Sequence, residues 1–107
     1  MKILPVYINT GRMQLLRSTR RDKKYMAIFE DGTVTHFGGK GCGDFIQYSR
    51  RSPAVANAKR AAYIARHGAT ESWSVPTAAS TLSRYILWEK NTLREALAAY
   101  RRRFRLA

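Results

Sequence analysis

Tyr25-Met26-Ala27-Ile28-Phe29-Glu30, then Asp31-Gly32, then Thr33-Val34-Thr35-His36-Phe37 sets two β-prone runs on either side of a turn dipeptide. Asp-Gly tolerates positive φ at both central positions, so the spacing predicts a hairpin over residues 24–37 closed by a two-residue type I′ turn. A lone hairpin is marginal in water, and the remaining residues must supply its cover.

The flanking segments extend the same reading. Residues 2–8 are apolar and β-prone, but Pro5 restricts them to an edge strand or an extended arm, so residues 1–20 are expected to be one or the other. Asn9-Thr10-Gly11 reads as a turn and Met13 to Arg17 as a short strand, with Ser18 to Asp22 leading onward. After the hairpin, Gly38-Gly39-Lys40-Gly41-Cys42-Gly43 reads as a sharply turning loop. Asp44 then caps a short helical segment through Tyr48.

The second half reads as helix. Ser52-Pro53 is a cap followed by proline at the first helical position, and Gly68 after His67 is expected at the C′ position. Ala54, Ala58, Ala61 and Ala65 share one face, which is expected to pack closely against another element. Pro76-Thr77 opens a further helix carrying Leu82, Tyr85, Ile86, Leu87 and Trp88. Thr92-Leu93-Arg94-Glu95 is a capping box for a last helix with the apolar stripe Leu93, Ala96, Leu97, Tyr100 and Phe104. The expected fold is α+β, a small N-terminal antiparallel sheet followed by about three helices, in a single domain over residues 1–107.

Charge narrows the function. Twenty Lys and Arg oppose seven Asp and Glu, for a formal net charge of +13. Residues 1–52 carry +6 and residues 53–107 carry +7, so the excess belongs to the whole domain and not to a tail. Fourteen of the twenty cations are Arg, whose planar fork suits ordered contacts with carboxylates and phosphates. Such a balance points to anionic partners and says little about fold.

Signals for catalysis are weak. Cys42 is the sole cysteine, so no disulfide within the chain and no Cys/His zinc site is expected; no metal or cofactor is predicted. Gly39-Lys40 is followed by Gly41, which departs from the phosphate-loop pattern. A dyad of Cys42 with His36 or His67 is conceivable, as are Asp44 and Glu71 as paired acids, but no recognised context surrounds them. Trp73, Trp88 and Tyr85 are candidate stacking platforms, with helical spacing favouring the core for the last two. No signal peptide is expected, and no apolar run is long enough to span a membrane.

The strongest binding signal is the last helix. Arg94, Arg101 and Arg105 align beside its apolar stripe, Arg102 and Arg103 lie beyond, and Glu95 is its only acid. These five arginines, with Lys59 and Arg66, are the expected contact residues for an anionic partner.

Residues 24–104 also carry an ordered series of blocks: Lys24-Tyr25-Met26-Ala27, Asp31-Gly32, His36-Phe37-Gly38, Asp44-Phe45, Tyr63 to His67, Glu71-Ser72-Trp73, Pro76 to Ala79, Leu82 to Trp88, Thr92-Leu93, Tyr100 and Arg103-Phe104. The series resembles a family of small, uncharacterised basic proteins of nucleocytoplasmic large DNA viruses. That resemblance brings no catalytic residues. It implies a virion context: a minor capsid or cement protein on the inner side of the capsid, synthesised in the host cytoplasm, with capsid proteins as partners. Nucleic acid or the inner viral membrane surface are the other partners it allows, and non-sequence-specific DNA packaging is the alternative function.

Overall fold

Four antiparallel strands, β1 (Val6–Asn9), β2 (Met13–Arg17), β3 (Lys23–Phe29) and β4 (Val34–Gly39), form one sheet in sequence order. A computed structural model describes residues 12–106 and the backbone of residues 6–9. Residues 1–5 and 10–11, the latter part of the expected Asn9-Thr10-Gly11 turn, lie outside the described residues. β1 is an edge strand, as Pro5 upstream of it suggested, with its register shifting between Val6 and Ile8. Helices follow: α1 (Phe45–Ser49), α2 (Pro53–Gly68), α3 (Ala79–Leu82) running into a π-helical turn (Ser83–Leu87), and α4 (Leu93–Phe104). The class is α+β, sheet first and helices after.

Strand alternation decides which side the helices cover. Met13 and Leu15 pair with Phe29 and Ala27, and Phe37 pairs with Tyr25 on the same face. Met13, Leu15, Ala27, Phe29 and Phe37 are all buried, in one cluster with Phe45, Ala56, Tyr63, Leu82, Ile86, Leu87, Trp88, Leu97 and Tyr100 from the helices. The π turn adds one residue to a helical turn. It brings Ile86, Leu87 and Trp88, three consecutive residues, into the core together.

Helix starts follow their caps. The Asp44 carboxylate accepts the Gln47 amide at 2.9 Å, the Ser52 hydroxyl accepts that of Val55 at 3.4 Å, and the Thr92 hydroxyl accepts that of Glu95 at 3.2 Å. Each satisfies one of the amides that a helix start leaves open.

Four local expectations are corrected. The hairpin loop is three residues, Glu30-Asp31-Gly32: the Phe29 amide donates to Thr33, the Gly32 amide donates to Phe29, and of these loop residues only Gly32 takes positive φ (+90°). This is a type I turn closed by a left-handed residue, held by the Asp31 carboxylate accepting the Thr33 amide at 2.9 Å. The alanine face of α2 does not pack: Ala54, Ala58, Ala61 and Ala65 are exposed, while Ala56 and Tyr63 turn inward. Methyl groups bury too little area to set the rotation of a helix that also carries Tyr63 and Ile64. α2 runs through Gly68, with no left-handed residue at its end; the Thr70 and Glu71 amides close on the His67 carbonyl instead. Helix α3 begins at Ala79, not at Pro76-Thr77, because the Pro76 and Thr77 carbonyls are engaged by Tyr100 and Thr35 side chains.

Candidate functional site

The C-terminal helix presents its arginines because its other side is nailed down. Ala96, Leu97 and Tyr100 are buried, and Leu93 and Phe104 pack against the core. That orientation turns Arg94, Arg102 and Arg105 to solvent, with Arg101 partly covered. Arg105 adopts the left-handed conformation (φ +57°), and the Leu106 amide closes on the Arg101 carbonyl at 2.8 Å, letting Leu106 pack against the core. Arg101, Arg102 and Arg105 border one shallow concavity with Ala98 and Leu106. Cations in the last turn also complement the negative end of the helix dipole.

Where the acids sit makes this face stand out. Asp44 pairs with Lys24 at 2.8 Å, both largely buried, and Glu89 pairs with Arg84 at 2.9 Å. Glu30 and Asp22 face Arg12 and Arg20 at the surface, and Glu71 meets His67. Arg103 differs from its neighbours: its guanidinium lies over the Tyr85 ring and reaches Glu89 at 3.9 Å, at half exposure. Among the described residues no carboxylate lies within ion-pair reach of Arg94, Arg101, Arg102 or Arg105.

Lys59 and Arg66 stand apart from this helix, on α2. Lys59 lies over the Tyr48 ring at 5.4 Å, and Arg66 borders a cleft of about 360 Å³ with Cys42, His67 and Glu71. So Cys42 and His67 do share a cleft, whereas His36 is held elsewhere by Ser18 at 2.8 Å. Cys42 is exposed and in no disulfide. The His67 Nδ1 bonds Glu71 at 2.7 Å, and the Trp73 indole donates to the other Glu71 oxygen at 3.0 Å. Burial works to raise the Glu71 carboxyl, but these two bonds outweigh it and hold the group below its ordinary value. Asp44 lines the same cleft, but Asp44 and Glu71 are bonded to different partners, Lys24 for the first and His67 and Trp73 for the second. Among the described residues, no three of His, Cys, Asp and Glu gather as metal ligands do, and no helix is long and apolar enough to cross a membrane.

The aromatic candidates are occupied. Trp88 stacks on Tyr63 at 4.6 Å, the Tyr85 ring meets Arg84 and Arg103, and Trp73 is half-buried beside Gly68 and Arg84. Sequence reasoning passed over Arg17, Lys40 and Arg50. The fold gathers them around one pocket, from a strand end, a loop and a helix end, and only the register of the sheet and the placement of α1 reveal it.

The model of a family of unknown function (DUF5754) matches residues 13–48, which comprise β2, β3, β4, the glycine loop and most of α1. No curated protein and no solved structure matches the chain.

Proposed function

We propose that this protein is a non-enzymatic binding protein that holds an anionic partner surface against the Arg94–Arg105 side of α4. The partner is a capsid subunit, and the protein is a minor capsid or cement component on the inner side of a large DNA virus particle. One observation carries the reading: among the described residues, four arginines of a helix anchored in the core have no carboxylate within ion-pair reach, while Asp44, Glu71 and Glu89 are used within the fold. Guanidinium groups carried on an anchored helix suit carboxylates across an interface, each such pair adding specificity through its geometry. The virion setting rests on the resemblance of residues 24–104 to small basic proteins of such viruses.

The test is fractionation of purified virions: membrane stripped with mild detergent, released DNA digested, and the protein followed by quantitative immunoblot. Retention with emptied shells at fixed stoichiometry supports cementing. Release with the DNA, together with duplex binding that weakens steeply with salt through counterion release, replaces it with the packaging function. A triple variant, Arg94→Glu/Arg101→Glu/Arg102→Glu, is expected to fold and to fail to incorporate; normal incorporation refutes this choice of face.

A further inference from the structure

Arg17, Lys24, Lys40 and Arg50 line a second concavity, of about 520 Å³, together with Tyr25, Gly41, Asp44, Ile46 and Gln47. Four cations thus surround one carboxylate, a net charge of +3. That carboxylate is already committed, since Asp44 accepts from Lys24 Nζ at 2.8 Å through one oxygen and from the Gln47 amide at 2.9 Å through the other. Among the described residues Arg17, Lys40 and Arg50 have no acid within ion-pair reach.

The three cations arrive from separate elements with their backbones fixed. Arg17 is in sheet register opposite Tyr25. The Lys40 amide donates to the Asp22 carbonyl at 2.9 Å, and the Arg50 amide donates to the Gln47 carbonyl. Gathering like charges around one hollow raises the energy of the empty state, and a multiply charged anion relieves it. Beside the Lys24 ammonium already held by Asp44, the walls offer two guanidinium forks, the Lys40 ammonium and an amide, a donor-rich set suited to phosphate oxygens. The volume exceeds what one phosphate needs and falls within the range of small-ligand sites.

We propose that this pocket is a binding site for linked phosphate groups, of the pyrophosphate or nucleoside-polyphosphate class. The site shares no residue with the α4 face and goes beyond the function proposed above.

Isothermal titration at about 0.15 M salt, where loose charge attraction is screened, tests it with pyrophosphate, ATP and adenosine as probes. Pyrophosphate and ATP are expected to bind one equivalent each, and adenosine not at all. Arg17→Gln/Arg50→Gln is expected to weaken both by about tenfold or more, in line with the loss of charge-assisted hydrogen bonds. Arg94→Gln/Arg101→Gln/Arg102→Gln is expected to leave them unchanged. Absence of pyrophosphate binding to the wild type, equal binding by the Arg17/Arg50 variant, or adenosine binding as tight as ATP overturns the proposal. Thermal melts without ligand establish that each variant is folded. Lys24 is left intact because it holds the buried Asp44. A triple α4 variant that binds pyrophosphate yet fails to enter virions separates the two sites.

Discussion

The Tyr100 hydroxyl, on a side chain without solvent exposure, donates to the Pro76 carbonyl across 2.6 Å. The neighbouring carbonyl, that of Thr77, accepts the Thr35 hydroxyl at the same distance. Two consecutive carbonyls of the connection before α3 are thereby fastened, one to α4 and one to the sheet. Burial raises the Tyr100 hydroxyl above its ordinary range, so it remains a donor. Tyr100→Phe should cost about 1–2 kcal/mol, since the Pro76 carbonyl loses its donor while the ring still packs. Urea unfolding measures this, and an unchanged midpoint would show that solvent replaces the bond.

Gly38 and Gly41 separate two effects. Both take positive φ, +80° and +90°, but a Cβ at 38 would lie 2.8 Å from the Leu87 Cδ1, whereas nothing lies within 4 Å at 41. Leu87 is buried, so a shift of its methyl group disturbs its packing in the core. Gly41→Ala should cost about 1–2 kcal/mol from backbone strain. Gly38→Ala should cost about 1–3 kcal/mol more through overpacking. Equal midpoints for the two in denaturant titrations would contradict the close packing of β4 against the π turn.

Arg105 holds a left-handed position that glycine fills at lower cost. Arg105→Gly should stabilise the fold by about 1 kcal/mol and raise the melting temperature. The same substitution removes a cation from the α4 face. A variant that melts higher yet associates less with the proposed anionic partner would show Arg105 serving contact at the expense of stability.

Glu71 makes the connection after α2 sensitive to acid. Its carboxyl sits below the ordinary 4.5 in the folded state, so its contribution is complete above 4.5 and is lost as the pH falls through the folded value. The Trp73 indole is bonded to this carboxylate. Indole fluorescence should therefore change in that acid window in the wild type, and the Glu71→Gln variant should show no such step there.

What was legible in the sequence was local. Asp44, Ser52-Pro53 and Thr92 announce helix starts because a cap needs only its own side chain and amides two or three residues on. Met13–Arg17 and the hairpin are visible by strand propensity and turn chemistry. The loop type was not, since Asp31-Gly32 serves both a two-residue turn and the second half of a three-residue one. The orientation of α2 was hidden for another reason: its alanines mark a regular face, but Tyr63 stacking on Trp88 decides which face goes inward. The arginines of α4 could be read off one helix. The pocket of Arg17, Lys40 and Arg50 could not, because its members meet only after the sheet and α1 are assembled.

Four of the seven acids, Asp31, Asp44, Glu71 and Glu89, each fasten a turn, a cap or a connection. The basic and acidic halves of the charge balance therefore respond differently to substitution. Losing Arg94, Arg101 or Arg102 from α4 alters the surface charge and leaves the scaffold standing, unlike Arg103, which meets Tyr85 and Glu89. Losing one of these four acids raises the net charge and loosens the scaffold together. The exposed Asp22, Glu30 and Glu95 tie down no buried element, so a still more positive chain comes cheaply at three acids and at a structural cost at the other four.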